Sequence, residues 1–184
     1  MPRIRHTTTA LACALILAAA GALFSACMLA VDGEAKVIGG PASAEEPARV
    51  AIPSLGVNSP LIRLKRGELP PREKGTTAGW YAAGARPGEP GAAVIIGHDA
   101  PGEDRPVFRD LHRLAAGSTI DVERGDGTVL HFTVTRTEKA GGDAFPAREA
   151  YAPTKERALR LVTCADGRGA EHLVVHATLT PAPR

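Results

Sequence analysis

Short apolar runs separated by glycine and proline are the feature that most limits how residues 49–184 can fold. The 184-residue chain contains 20 Gly and 15 Pro, so it must turn often, which disfavours long helices. Between the turns the runs either alternate apolar and polar residues or are apolar throughout, as half-buried and buried strands do. The pattern predicts a mainly β domain in which seven or eight short strands form a closed barrel.

Several stretches carry clear signals for individual elements. Ser118–Ala140 alternates polar and apolar residues around an Asp-Gly pair, the usual signal of a hairpin turn. Gly91–His98 is a continuous apolar run after a Pro- and Gly-rich turn, as expected of a buried strand. Ala158–Cys164 and His172–Leu179 predict two more strands joined by a glycine-rich loop, and Phe108–Leu114 predicts one or two helical turns.

The N-terminus carries an export signal. Ala10–Val31 has no charged residue and would span about 33 Å as a helix, enough for a bilayer core. Arg3 and Arg5 precede it, which predicts a single-pass signal-anchor over 10–31, a cytoplasmic tail over 1–9 and an extracellular body. A cleaved signal peptide and a lipoprotein signal ending at Cys27 are the alternatives, and all three export the body.

The charge distribution separates the N-terminus from the body. The net charge of +2 comes from Arg3 and Arg5. The 20 other basic residues and the 20 acidic residues all follow residue 31, and their charges cancel. An electroneutral body argues against nucleic-acid binding, which depends on neutralising phosphates. Residues 32–48 are rich in Ala, Gly, Pro and Glu without apolar periodicity, which predicts a flexible linker before the domain at 49–184.

Cys164 is the only cysteine of the body, so no disulfide can form within it. It ends an apolar strand beside a loop, where a thiol can act as a nucleophile, and the alternative is an inert core cysteine. His98 ends another strand and can serve as general acid and base, or can be a hydrogen-bonded surface histidine. Arg168, in the loop after Cys164, can bind an oxyanion or a substrate carbonyl, or can be a solvated loop arginine.

No cofactor or metal is indicated. The sequence lacks CxxC, HxH and HExxH spacings, and its glycine-rich turns do not form a phosphate loop. These absences argue against a zinc site made of Cys164, His98, His172 and His176.

The order of the motifs resembles that of sortases, most closely the class F sortases of actinobacteria. The similar stretches are IPSLGVNSPLIRL, AGWYAAGARPGEPGAAVIIGHDA, VFRDLHRLAAGSTIDV, DAFPAREAYAPT, LRLVTCADGR and LVVHATL. The LVTC stretch is similar to the TLxTC signature, with Arg160 where Thr is usual. The resemblance implies a compact β-barrel with short helices and a Cys-His-Arg site.

The resemblance also implies a reaction. Cys164 would attack the Thr carbonyl of an LPxTG-type sorting signal, and His98 would protonate the departing glycine amine. The acyl group would then pass to an amine acceptor, such as a peptidoglycan precursor, which anchors a secreted protein to the cell wall. Arg168 is the best match to the arginine of class F members. Arg109 is the alternative, because in many sortases the arginine begins the last strand, where His172 stands here.

Two other functions remain open. An exported cysteine peptidase or another thiol acyltransferase would use the same thiol with water or a different amine. A non-catalytic β-domain that binds wall material would carry an inert Cys164. Product analysis with and without an added amine distinguishes the first alternative, and the pH dependence of thiol alkylation distinguishes the second.

Overall fold

The computed structural model describes residues 45–71, 75–99, 105–141, 146–164 and 171–181, with Gly141 and Cys164 described by their backbone alone. The predicted tail 1–9, signal-anchor 10–31 and most of the linker 32–48 lie outside these residues, as does Arg168. No helix within the described ranges has the length and apolar character needed to cross a membrane.

The described residues form a closed barrel of eight strands, which confirms the predicted mainly β architecture. The spatial order is β1-β2-β3-β4-β7-β8-β6-β5, and β5 pairs back onto β1. The strands are β1 (Pro47–Ile52), β2 (Val57–Leu64), β3 (Ala78–Tyr81), β4 (Gly91–His98), β5 (Thr119–Arg124), β6 (Val129–Gly141), β7 (Arg157–Cys164) and β8 (Glu171–Leu179). The first strand takes in the last residues of the predicted linker, because Pro47 already pairs with Arg124.

Two pairs of strands, β2 with β3 and β4 with β7, are parallel, and the other pairs are antiparallel. The parallel pairing of β4 and β7 is possible because β5, β6 and the segment after β6 form a long crossover between them. Parallel strands end at the same edge of a sheet. The pairing therefore brings the C-terminal ends of β4 and β7 together, although they are far apart in the sequence.

The predicted hairpin joins β5 and β6. Arg124 and Thr128 pair across the turn, Gly127 has φ of 81°, and the Thr128 amide donates to Asp126 Oδ1 at 2.9 Å. The predicted helical turn is a short 3₁₀ helix over Leu111–Arg113, flanked by further turns. A five-residue helix, α1 (Ala147–Tyr151), follows β6 and was not predicted as an element from periodicity, because it is too short to show one.

Two apolar clusters explain why β4, and β7 around Leu161 and Val162, carry consecutive apolar residues rather than alternating ones. The larger cluster fills the barrel and includes Val50, Ile52, Ile95, Phe108, Ile120, Val122, Phe132, Leu159 and Leu161. The smaller cluster packs on the other face of β4 and β7 and includes Leu64, Tyr81, Val94, Ile96, Ala150, Val162 and Val174. Burial on both faces calls for a continuous apolar run, and each large buried side chain contributes about 1.5–3 kcal/mol.

Candidate active site

The register of β4 and β7 brings His98 and Cys164 together. The ladder runs from Gly91 beside Arg157 to His98 beside Cys164, so the two residues are paired at the very end of both strands. Neighbouring strands lie about 4.7–4.9 Å apart, which sets the separation of the two backbones. Two of the three residues that the sequence marks as candidates therefore share one edge of the barrel.

The imidazole of His98 is held by a backbone carbonyl. The side chain is only 4% exposed, and its Nε2 lies 2.8 Å from the carbonyl oxygen of Pro70, in the loop after β2. A carbonyl oxygen can only accept, so Nε2 carries the proton and donates it. In the neutral ring, Nδ1 is consequently the nitrogen without a proton.

Gly97 allows the chain to pack closely just before His98. A Cβ at this position would lie 2.5 Å from the ring of Phe108 and 2.7 Å from Val107. The Phe108 amide donates to the His98 carbonyl oxygen at 2.8 Å, so the segment after β4 folds back onto the strand end. The Gly-His pair of the sequence thus has a steric reason. A side chain at 97 would overlap the ring of Phe108, whose backbone amide binds residue 98.

Hydrogen bonds with residues of β8 hold the end of β7. The backbone ladder between the two strands stops at Val162 and Val174. Beyond it, Nδ1 of His172 donates to the Thr163 carbonyl oxygen at 3.0 Å, and the Leu173 amide donates to Thr163 Oγ1 at 2.8 Å. Thr163 and His172 are both buried. These contacts fix the residue directly before Cys164, a positioning role that strand periodicity did not reveal.

A cavity of about 150 Å³ opens beside the two strand ends. Its walls include Asp99, Arg109, Lys139, Thr163, Glu171 and His172. Lys139 Nζ and Glu171 Oε2, both in this lining, form an exposed ion pair at 2.6 Å. The cavity places carboxylates and cations within the same small space, next to the residues that immediately follow His98 and precede Cys164.

Two other sequence candidates, Arg109 and His172, lie near this edge, and the rest lie apart from it or outside the described residues. Arg168 belongs to the latter, whereas Arg109, the alternative arginine, lines the cavity beside Thr163. His176 lies further along β8, beside Arg160 in the neighbouring strand. Within the part of the chain that the structure describes, no three His, Cys, Asp or Glu residues are grouped as metal ligands.

A closed β-barrel with a histidine and a cysteine at the ends of two parallel strands fits a class of enzymes that carry out acyl transfer at a cysteine. The model of the sortase domain matches residues 50–180, nearly the whole described barrel. The chain therefore belongs to the sortase family and is a cysteine transpeptidase. No curated protein has a significantly similar sequence.

Solved sortases have the same fold. The sortase D5 transpeptidase of Clostridium perfringens is 22% identical with a TM-score of 0.59, and the match covers 74% of this chain and 79% of that one. Sortase C-1 of Actinomyces oris is 20% identical with a TM-score of 0.60, over 73% of each chain. Sortase A of Corynebacterium diphtheriae is 18% identical with a TM-score of 0.61, over 75% of this chain and 62% of that one.

Proposed function

We propose that this chain is a class F-like sortase that cleaves an LPxTG-type sorting signal between Thr and Gly and transfers the acyl group to an amine. The observation that carries the proposal is the pairing of His98 with Cys164 at the joint end of β4 and β7. The sorting-signal specificity and the class rest on the sequence stretches around these residues. The amine acceptor is of the kind that a peptidoglycan precursor provides.

In the first half-reaction, the thiolate of Cys164 attacks the carbonyl carbon of the threonine. The peptide C–N bond then breaks, a thioester forms, and the glycine amine leaves with a proton from His98. Because Nε2 of His98 donates to Pro70, the proton that moves is the one at Nδ1. The Pro70 contact thus keeps the imidazole in one orientation while its other nitrogen changes protonation state.

In the second half-reaction, the acceptor amine attacks the thioester carbonyl. His98 takes a proton from this amine at Nδ1, the C–S bond breaks, and the thiolate of Cys164 is restored. The net result is exchange of one amide bond for another, with no proton gained or lost by the enzyme. Splitting the exchange through a covalent intermediate lowers the barrier of each step.

An arginine completes the proposed site by donating hydrogen bonds to the oxyanion or to the substrate backbone. Arg168 is assigned this role because it follows Cys164 closely in the sequence. Arg109 is the alternative, supported by its position in the cavity beside Thr163 and His172. Loss of one such donor typically lowers the rate about 10²–10³-fold, so single substitutions of the two arginines discriminate between them.

The cavity beside the strand ends supports an amine as the second substrate. Asp99 and Glu171 contribute carboxylates to its lining, which attract an ammonium group before it loses its proton and attacks. Lys139 forms an ion pair with Glu171, and Arg109 also lines the cavity, so its two carboxylates are balanced by two cations. A small acceptor amine, rather than a bulky anionic one, fits this lining.

We also propose that the protein acts outside the cell, with residues 10–31 as a signal-anchor and residues 1–9 in the cytoplasm. The support is the uncharged apolar stretch and the two arginines before it. The secreted protein and the acceptor amine are both found on that side of the membrane. Fractionation of cells that produce the full chain, with protease added outside, tests this orientation.

The function is tested with the full chain, a library of LPxTG-type peptides and an added amine such as glycine. We expect mass spectrometry to find the peptide cleaved after Thr and joined to the amine, and Cys164→Ala to abolish both products. Cys13→Ala and Cys27→Ala are matched controls that should keep full turnover. Full turnover by Cys164→Ala would contradict the mechanism, whereas hydrolysis that no amine diverts would indicate a cysteine peptidase instead.

A further inference from the structure

A buried arginine lies in β7, away from the strand ends. Arg160 occupies the position where the TLxTC signature has threonine, and its side chain is only 6% exposed. Its Nη1 donates to the carbonyl oxygen of Ala150 in α1 at 2.9 Å. Its Nε is buried and has no hydrogen-bond partner among the described residues. Burying a guanidinium costs free energy unless its N–H groups donate hydrogen bonds. The Nε of Arg160 therefore also requires an acceptor.

The strand beside Arg160 adds a second buried polar side chain. His176 of β8 is in register with Arg160 on one side and with Arg136 of β6 on the other. Its Nε2 is buried, lies 3.3 Å from Glu138 Oε2 and makes no well-aligned hydrogen bond with any described residue. Burial lowers the pKa of His176, and the nearby Arg136 and Arg160 lower this pKa further, whereas Glu138 opposes the shift.

One carboxylate serves all three of these groups. Glu138 forms an ion pair with Arg136, lies beside His176 and attracts Arg160. Hydrogen bonding from Arg136 is the largest cause that lowers the pKa of Glu138, so Glu138 is directed mainly at that guanidinium. Arg160 is left with a backbone carbonyl as its nearest acceptor. In the row of Arg136, His176 and Arg160, the carboxylate therefore lies closest to Arg136, and Arg160 does not form an ion pair with it.

These groups line a polar cavity of about 180 Å³ on the flank of the barrel. Arg136, Arg160 and His176 form one part of its wall, and Thr154 and Thr178 add hydroxyl groups. The exposed Glu156 also contributes to the lining. A cavity of this size holds several water molecules or one small oxyanion with water.

We propose that this cavity binds a small oxyanion, a carboxylate or a phosphate group, through the guanidinium groups of Arg136 and Arg160. Guanidinium groups present pairs of donors that match the oxygens of these anions, and threonine hydroxyls complete such sites. The site goes beyond the transpeptidase reaction. It lies four residues along β7 from Cys164, about 13 Å at the rise of a strand.

An occupied site would also fix α1. Arg160 donates from Nη1 to the Ala150 carbonyl oxygen, while its Nε is left to donate to an anion. An anion bound at Nε would therefore orient the same guanidinium that contacts the helix. Ala150 is fully buried in the smaller apolar cluster, against the outer face of β4 and β7. Anion binding should therefore raise the resistance of the barrel to heat.

The test uses the full chain with sodium phosphate, sodium acetate and sodium chloride at matched ionic strength. We expect a saturable rise in the unfolding temperature and a saturable shift of the His176 Cε1 proton resonance with phosphate or acetate, and neither with chloride. The arm that responds identifies a phosphate or a carboxylate as the ligand. Arg66→Gln, an exposed arginine far along the chain, is the matched control and should keep both responses.

Arg160→Gln and Arg136→Gln should each weaken the saturable response at least tenfold in apparent affinity. If Arg160→Gln does not fold, Arg136→Gln and the His176 resonance of the unaltered chain still decide the question, because Arg136 is exposed. The proposal is overturned if neither anion produces a saturable shift of His176, or if Arg136→Gln responds as the unaltered chain does.

Discussion

The end of β7 and its middle carry two polar sites built on different principles. At the end, Nε2 of His98 and Nδ1 of His172 each donate to a backbone carbonyl, so both rings are held by neutral acceptors. In the middle, Arg160, His176 and Arg136 share the carboxylate of Glu138, and their arrangement depends on charge. The site at the end of β7 therefore depends on fixed orientation of its side chains, whereas the site in the middle of β7 depends on unbalanced charge.

The two sites should respond differently to salt. Neutral hydrogen bonds change little with ionic strength, whereas interactions between charges are screened over about 8–10 Å at physiological salt. Variants at the strand end should therefore change the rate of transpeptidation, and variants in the flank should change stability, ion binding and titration.

His98→Ala should cause the largest loss at the strand end. The variant removes the group that exchanges a proton with the leaving and attacking amines, and general acid–base catalysis contributes about 10²–10⁴-fold. We expect kcat/KM for an LPxTG-type peptide to fall by that factor, and loss of the buried ring and its bond to Pro70 also lowers the unfolding temperature. His131→Ala is the control, since His131 is exposed and pairs with Asp121 on the hairpin. Unchanged kcat/KM in His98→Ala would remove His98 from the mechanism.

Gly97→Ala tests whether the strand end depends on close packing rather than on charge. The added Cβ would overlap the Phe108 ring, and overpacking of this kind costs about 1–3 kcal/mol. We expect reduced stability in a denaturant titration and reduced transpeptidation, both unaffected by salt. Gly67→Ala is the comparison, because its Cβ meets nothing within 4 Å and only its positive φ opposes the change. Because Gly97 does not have a positive φ, a loss in Gly97→Ala no larger than that in Gly67→Ala would show that the Phe108 contact contributes little.

His172→Ala separates positioning from chemistry at the same edge. The variant loses the hydrogen bond to the Thr163 carbonyl, worth about 0.5–1.5 kcal/mol of stability. Misplacement of the residue before Cys164 should lower kcat by about tenfold, equivalent to 1.4 kcal/mol, with KM nearly unchanged. His172→Asn, which keeps a donor on a shorter side chain, should recover part of the rate. A rise in KM without loss of kcat would indicate that His172 binds substrate instead.

Features that depend on residues close together in the chain could be predicted from the sequence, whereas contacts between distant residues could not. The apolar runs of β4 and β7 and the Asp-Gly turn are local signals, and the barrel and the hairpin are confirmed. His98 and Cys164 stand out in the sequence because both end apolar runs. The contact of His98 with Pro70 and that of Arg160 with Ala150 join distant loops or a helix to a strand, so no local pattern could reveal them.

His176 gives the smallest effect and the sharpest contrast with the strand end. Burial, Arg136 and Arg160 hold the pKa of His176 below its usual value near 6.5 in the folded chain, whereas an unfolded chain keeps the usual value. The unfolded state therefore binds more protons as the pH falls below about 6.5, and folding stability must decrease in that direction. We expect denaturant titrations between pH 7 and 5.5 to show this decrease, and His176→Gln to lessen it. Arg160→Met should lessen it too, because removal of a nearby cation raises the pKa of His176. The same slope in all three proteins would show that the charge of the flank does not act on His176.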